Sequence, residues 1–351
     1  QDYPAMGYSI RYEYGLFKQK IVDGWQTELP DVWLPGGEVW LTQRSDLMVH
    51  VKFDGKVVEE WTDQGLKIKQ VDCQEVEAMP GKDSEAVSVL RLWAARSVRN
   101  FDMRSFSEGD YVRCMQEDNE AELISKVLYP SDNHSEGKSL RLKQQYFLVS
   151  ATLQNIVNDH IRRYGDLHSL PDLAAIHIND THPALCIPEL MRILMDEHGF
   201  SWDEAWDIVH RTVAYTNHTV MSEALEKWNE DLIERRLPRI YAIIKEINQR
   251  FCADMWNLFP GDWDKIERMS IMSHGQVRMA NLSVVASHAV NGVSSLHSEI
   301  IKNSIFKDFN DAYPDRFTNV TNGIAYRRWL CQSNPELSDL IIDCIGDGFI
   351  H

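Results

Sequence analysis

Four short polar segments contain the side chains whose types could do chemistry. They are residues 179–182 (Asn-Asp-Thr-His), 216–219 (Thr-Asn-His-Thr), 291–292 (Asn-Gly) and 321–323 (Thr-Asn-Gly). A sugar hydroxyl both donates and accepts a hydrogen bond, and Asn, Asp, Thr and His offer short, well-positioned partners for it. One such segment alone would more simply cap a helix or close a turn. Four of them in one chain favour a polar site suited to a sugar.

The elements that must position these segments alternate between strand and helix. Apolar runs at 173–178 and 213–216 predict buried strands, and residues 287–293 and 317–323 are typical of two more strands that end in loops. A capping box at residues 201–204 opens one of the intervening helices. This alternation predicts a doubly wound α/β core with a mostly parallel sheet, in which ligands bind beyond the carboxyl ends of the strands.

Side chains from different strand ends should therefore meet in one crevice, and four are expected to face it: Asp180, His182, His218 and Asn322. Three further histidines fall within or beside regular elements and are interpreted as structural: His177, His288 and His297. No two histidines have the spacing of a helical metal site beside a carboxylate, so no metal centre is expected. The glycine-rich patterns that bind nucleotides do not occur, so no nucleotide cofactor is expected either.

The first hundred residues have a different pattern, in which short alternating runs predict mostly strands. Residues 49–53 and 56–61 alternate in the strand period on either side of Asp54-Gly55. Because glycine readily takes the positive φ of a tight turn, this segment predicts a β-hairpin.

A helical period begins near residue 110. Apolar residues between 142 and 156 lie on one face of a long predicted helix that Gly165 would end, and residues 131–137 have the composition of a polar loop. We therefore expect a β-rich peripheral part at 1–105 and an α/β core at 106–351.

Composition excludes several classes of function. The net charge is −17 without a basic stripe, which argues against nucleic acid as a partner. No apolar run approaches the length of a membrane span, so no membrane partner is expected. The six cysteines are widely spaced without a C-x-x-C pair, which fits a reducing cytoplasm better than a zinc site or a disulfide scaffold.

Read with their flanking residues, the polar segments resemble those of α-glucan phosphorylases. The similar stretches include residues 128–133 (Leu-Tyr-Pro-Ser-Asp-Asn), 179–192 (from Asn-Asp-Thr-His-Pro), 214–219 (Ala-Tyr-Thr-Asn-His-Thr), 287–293 (Ser-His-Ala-Val-Asn-Gly-Val) and 321–330 (from Thr-Asn-Gly-Ile). The similarity is collinear and runs nearly from end to end, which makes it more specific than any single motif.

The resemblance implies one lobe of a two-lobe glycosyltransferase of the doubly wound type. Such enzymes use orthophosphate to release the terminal glucose of an α-1,4-glucan as glucose 1-phosphate. The resemblance implies that His218 is the catalytic position and that it and Asn322 hydrogen-bond the hydroxyls of the glucosyl unit. It assigns four residues to the adjoining pocket, namely Asp180, His182, Ala224 and Val293. It places Asp132 and Asn133 on a gating loop, where His134 stands in place of the Phe of vertebrate members.

The resemblance also implies pyridoxal phosphate, bound to a lysine of the C-terminal lobe. The Gly-Asn-Met-Lys pattern that would carry this lysine does not occur in the 351 residues. We therefore expect a truncated N-terminal lobe that is inactive alone, with the missing C-terminal lobe as its partner and a homodimer at full length. Two alternatives stay open, a maltodextrin or starch phosphorylase and a complete, non-catalytic carbohydrate-binding α/β domain.

Overall fold

The computed structural model describes residues 4–33, 42–62, 65–82, 89–98, 102–325 and 327–350. Its strands fall into a β-rich N-terminal part and a smaller set beyond residue 170. In chain order the strands are β1 Met6–Ile10, β2 Lys18–Val22, β3 Trp25–Leu29, β4 Thr42–Gln43, β5 Val49–Phe53, β6 Lys56–Thr62, β7 Gly65–Val71, β8 Gln74–Lys82, β9 Val89–Ser97, β10 Ile176–Asn179, β11 Val213–Thr216, β12 Lys227–Asn229, β13 Met272–Ser273, β14 Gln276–Arg278, β15 Ala289–Gly292 and β16 Phe317–Asn319.

The helices follow the N-terminal strands and alternate with the later ones. They are α1 Met103–Ser107, α2 Tyr111–Glu122, α3 Ser135–Tyr164, α4 Leu170–Leu173, α5 Cys186–Arg192, α6 Trp202–Thr212, α7 Glu230–Arg236, α8 Pro238–Leu258, α9 Trp263–Met269, α10 Met279–Ala286, α11 Ser295–Ile300, α12 Lys307–Ala312 and α13 Pro335–Ile345. The protein is therefore a mixed α/β structure with several sheets.

The N-terminal sheet packs against the long helix α3. Strands β1, β9, β8 and β4 follow one another in this sheet, and β5 also pairs with β8. The alternation of β5 buries Val49, Val51 and Phe53, as the strand period requires. The indole nitrogen of the fully buried Trp93 in β9 donates to the hydroxyl of Thr152 in α3 at 3.2 Å. This contact helps to fix the sheet on the helix.

The predicted hairpin at residues 49–61 is correct in its turn and wrong in its pairing. Asp54 and Gly55 have positive φ values of 60° and 79°, as a tight turn needs. However, β5 pairs with β8 and β6 pairs with β7. The apolar face of β5 is buried in the sheet that α3 covers, whereas β6 is largely exposed. Burial of that face therefore determines the partner of β5.

Four parallel strands form the sheet that positions the polar segments. The order is β10-β11-β15-β16, and each neighbouring pair is parallel. Strands therefore lie where the sequence predicted them, although the first begins at Ile176 because residues 170–173 form α4. Helix α10 contacts β11 and is buried along nearly its whole length, and α5 packs against α3, α6, α8 and α10.

Helix boundaries follow local capping, with one correction. The predicted capping box is present, since Ser201 and Glu204 bond reciprocally at the start of α6. Gly165 ends α3 with a φ of 76°. The polar loop predicted for 131–137 is too long, because α3 begins at Ser135. His134 Nδ1 accepts a hydrogen bond from the Gly137 N–H at 3.0 Å and caps the helix.

A buried ion pair within α5 also receives hydrogen bonds from α3. Glu189 is fully buried, and both of its carboxylate oxygens accept from the Arg192 guanidinium at 2.8 Å. Tyr146 and Ser150 of α3 each donate a hydroxyl to the same carboxylate at 2.7 Å. Burial raises the pKa of Tyr146 well above its usual value, so this hydroxyl stays a neutral donor. Every strong acceptor site of Glu189 is therefore occupied.

We expect Glu189→Gln to lower the free energy of unfolding by about 3 kcal/mol, because Arg192 would lose the charge that compensates its burial. Urea unfolding followed by circular dichroism measures this. Glu197→Gln is the matched control, because Glu197 also bonds Arg192 but its side chain is 45% exposed. This control should change stability by less than about 1 kcal/mol. Equal effects of the two substitutions would contradict the role of the buried pair.

Candidate functional site

The ends of β10 and β11 bring the proposed catalytic histidine beside a strand-end amide. His218 Nε2 lies 2.5 Å from Asn179 Oδ1, and the histidine side chain is exposed. The next residue after Asn179 is Asp180, which has a positive φ of 65°. Its carboxylate accepts from the Thr181 N–H at 2.6 Å, and its own N–H donates to the Thr216 carbonyl at 3.1 Å. His218 and Asp180 therefore lie on adjacent strand ends.

A row of hydrogen bonds crosses the sheet just behind this edge. The Thr216 hydroxyl donates to Asn291 Oδ1 at 2.7 Å, so its oxygen accepts from His177 Nε2 on the other side. Burial lowers the pKa of His177, and the neighbouring His218 lowers it further. His177 is thus a neutral donor in this row, in agreement with its interpretation as structural.

The ends of β15 and β16 hold Val293 and Asn322 together through the backbone. The Asn322 N–H donates to the Val293 carbonyl at 3.1 Å, and the Asn322 side chain is exposed. Since β15 lies between β11 and β16, Asn322 and His218 extend from strands about 10 Å apart. The sheet brings the four polar segments to one edge, as the alternation of strands and helices predicted.

The predicted gating loop is attached to α3 through Arg141. Arg141 Nη1 donates to Asp132 at 3.2 Å, and Nη2 donates to Glu226 at 2.9 Å. Gln145 also donates to both oxygens of Glu226, at 3.0 and 3.1 Å. Asn133, next to Asp132, is exposed.

Two further predicted residues adjoin this cluster. The His182 ring packs edge-to-face with the Tyr129 ring at a centroid distance of 6.1 Å. The Arg141 guanidinium lies 5.7 Å from the centroid of the Tyr129 ring. Ala224 is exposed at the end of a 3-10 turn, Ser222–Ala224, two residues before Glu226. The hydrogen bonds and ring contacts thus form two groups. The strand-end group contains His218, Asp180, Val293 and Asn322. In the second group, Arg141 bonds Asp132 and lies near Tyr129, against which His182 packs, while Asn133 and Ala224 are only close in sequence to partners of Arg141.

Sequence reasoning did not single out Arg141, Glu226 or Asn217, although each is bonded to the segments that contain the predicted site residues. Asn217 is fully buried between the strand ends, where its Nδ2 donates to the Tyr215 hydroxyl at 3.1 Å. Its position directly before His218 in the sequence could have identified it. Arg141 and Glu226 gave no comparable signal, because their partnership joins segments that are distant in sequence.

The strand ends offer amide, hydroxyl, imidazole and carboxylate groups but no basic side chain of lysine or arginine. Residues 176–180, 213–219, 289–293 and 317–322 contain no lysine or arginine. Among the residues that the structure describes, no group of His, Cys, Asp and Glu could hold a metal ion. Within those same residues, no helix is long and apolar enough to cross a membrane.

We expect Gly292→Ala to destabilise this edge. A Cβ atom there would come within 2.9 Å of the backbone of Ser298, so α11 would have to move away from β15. Overpacking of this kind costs about 1–3 kcal/mol, which thermal unfolding would detect. Gly323→Ala is the control, since its Cβ would meet nothing within 4 Å. An unchanged midpoint for Gly292→Ala would show that the close approach does not constrain this edge.

Comparison with known proteins is consistent with these features. A family model described as carbohydrate phosphorylase matches residues 1–351. The chain is 48% identical to glycogen phosphorylase of Bacillus subtilis, covering 99% of this chain and 43% of that protein. Identity is also 48% to the brain form of Mus musculus and to the liver form of Homo sapiens, of which the chain covers 43% and 42%. The chain spans less than half the length of these relatives, and it belongs to the carbohydrate phosphorylase family.

Proposed function

We propose that this chain forms the sugar-binding part of an α-glucan phosphorylase. The whole enzyme would use orthophosphate to release the terminal glucose of an α-1,4-glucan as glucose 1-phosphate. The proposal rests on one observation: exposed His218 and Asn322 lie with Asp180 at the same edge of a parallel sheet. The relatives named glycogen phosphorylase, 48% identical over nearly the whole chain, support the reaction.

In this proposal the exposed polar side chains bind the glucosyl unit. His218, as the catalytic residue, and Asn322 hydrogen-bond its hydroxyls, with the His218 carbonyl near the anomeric carbon. Asp180 and His182 form the adjoining pocket, which Ala224 and Val293 line. Short amide, imidazole and carboxylate groups suit this task because they pair with hydroxyls that both donate and accept.

The loop that contains Asp132 and Asn133 gates this pocket. One feature supports a movable loop. Asp132 is held by an ion pair with Arg141 in which its side chain is 52% exposed, and such pairs contribute little stability. The neighbouring residues Pro130, Ser131 and His134 line part of an open cavity of about 590 Å³.

The fold proposal is one lobe of a doubly wound, two-lobe enzyme, with a β-rich periphery at 1–105 and an α/β core at 106–351. The four-stranded parallel sheet with its covering helices supports this description. The opposing C-terminal lobe would close the crevice, and the full-length protein would form a homodimer in the cytoplasm. All six cysteines are free, which suits a reducing compartment.

Pyridoxal phosphate, which the family implies, does not fit the residues at this edge. Its aldehyde needs a lysine and its phosphate needs cations or amide donors. The four strand ends supply no lysine or arginine. In the proposed enzyme, residues outside this chain would hold the cofactor, and the residues of this edge would bind and orient the glucosyl unit.

We expect His218→Ala and Asn322→Ala, each in the full-length holoenzyme, to lower kcat/KM for phosphorolysis about ten- to hundredfold. Each substitution removes a hydrogen bond to a sugar hydroxyl, which is worth about 1–3 kcal/mol when its partner is left unpaired. Glucose 1-phosphate formed from glycogen, starch or maltodextrin is the readout, and the kcat/KM values for these glucans identify the preferred one.

His288→Ala is the matched control. His288 is exposed directly before β15, at the opposite edge of the sheet, and its backbone bonds Val213 at the start of β11. Its replacement should leave kcat/KM unchanged. Absence of glucose 1-phosphate with all three glucans would refute the proposed function. Full activity of both His218→Ala and Asn322→Ala would refute the assigned residues.

A further inference from the structure

His297 lies between two strand ends that contain candidate site residues. It is the third residue of α11, and its N–H donates to the capping Ser294 hydroxyl at 3.2 Å. From this position the ring reaches back past the start of the helix. The Val293 N–H donates to His297 Nδ1 at 3.1 Å, and Nε2 lies 3.1 Å from Asn217 Oδ1. One imidazole thus joins the end of β15 to the end of β11.

These contacts fix the protons of the ring. A backbone N–H can only donate, so the His297 Nδ1 that faces Val293 must be unprotonated. The neutral ring then carries its proton on Nε2 and donates it to Asn217. The Asn217 orientation is fixed in the same way, because the Thr219 N–H donates to its Oδ1 at 3.2 Å. Both side chains are therefore held in one arrangement.

The Asn217 side chain closes a turn around His218. Its Oδ1 accepts from the backbone N–H two residues on, which is an Asx turn with His218 at its centre. Its Nδ2 donates to Tyr215, and its backbone N–H donates to the Asn291 carbonyl at 3.0 Å. Since Asn217 is fully buried, its oxygen has no water to replace a lost donor.

We propose that His297 is a positioning residue of the glucosyl site. By joining Val293 to Asn217, it fixes the backbone turn that contains His218 at a set distance from the end of β15. The effect on catalysis rests on the proposed function, whereas the effect on the turn does not. His297 itself does not contact the sugar in this proposal, so its replacement acts through the geometry of His218.

The test uses the full-length holoenzyme with three substitutions of His297. His297→Ala removes both contacts, and we expect kcat to fall about tenfold while the KM for glucan changes less than about twofold. His297→Gln can keep an N–H donor near Asn217, so kcat should stay within about threefold of the unchanged protein. His297→Asn can keep only the acceptor for Val293, so kcat should fall as far as in His297→Ala.

His160→Ala separates positioning from general stability. His160 is buried, and its Nε2 bonds the Asp166 carbonyl and the Ser169 hydroxyl near the end of α3. Its replacement should lower the thermal midpoint without changing kcat. If the two variants His297→Ala and His160→Ala have equally lowered thermal midpoints and both keep the kcat of the unchanged protein, His297 is only structural. If His297→Asn kept its activity and His297→Gln lost it, the proposal that His297 positions His218 through Asn217 would be wrong.

Hydrogen exchange separates this inference from the proposed function. Deuterium uptake measured by mass spectrometry should rise in peptides that contain Thr219 and Val293 in His297→Ala, and His297→Gln should protect Thr219 again. Unchanged uptake in both peptides would overturn the inference, whatever the activity. A wild-type holoenzyme that forms no glucose 1-phosphate would refute the proposed function, and uptake would still decide the role of His297.

Discussion

The parallel pairing of β10, β11, β15 and β16 is the constraint on which the rest of the site depends. Each strand has only three or four residues, so few backbone hydrogen bonds hold it in register. A parallel sheet is stable only when helices cover it. The buried helix α10 contacts β11, and α5 connects that layer to α3. The ion pair of Glu189 and Arg192 lies within α5 and bonds to α3, so it stabilises the contact between these two helices.

The polar residues at the sheet edge divide into those that bond one another and those that remain exposed. Asn217 and Thr216 are buried, and each has partners on a neighbouring strand or helix. Buried polar groups must be paired, so these residues have little capacity left for a ligand. His218 and Asn322 lie just beyond them and are exposed. The inner row therefore sets the positions of the exposed outer side chains, which are the ones that would bind the sugar in the proposed function.

Sequence patterns predicted the features that depend on residues close together in the chain. The capping box at Ser201, the end of α3 at Gly165 and the strands before the polar segments all follow from local periodicity and turn chemistry. The pairing of β5 with β8 was not predictable in this way, because it depends on which surface α3 covers. The contacts of Arg141 and His297 also join segments far apart in the chain. A single sequence does not specify such pairs, since each residue alone is equally consistent with a solvated or structural role.

Arg141 makes two ion pairs that differ in burial and therefore in strength. Glu226 is 9% exposed and receives hydrogen bonds from Arg141 and Gln145, so breaking its pair would leave a buried charge. The bond from Arg141 to Asp132 is exposed, and its loss costs about 1 kcal/mol or less. If the loop moves as proposed, Arg141 would remain on Glu226 and Asp132 would leave. Asn217 and His297 hold the end of β11 through a separate set of hydrogen bonds, so this movement would not require breaking the contacts that hold the turn at His218.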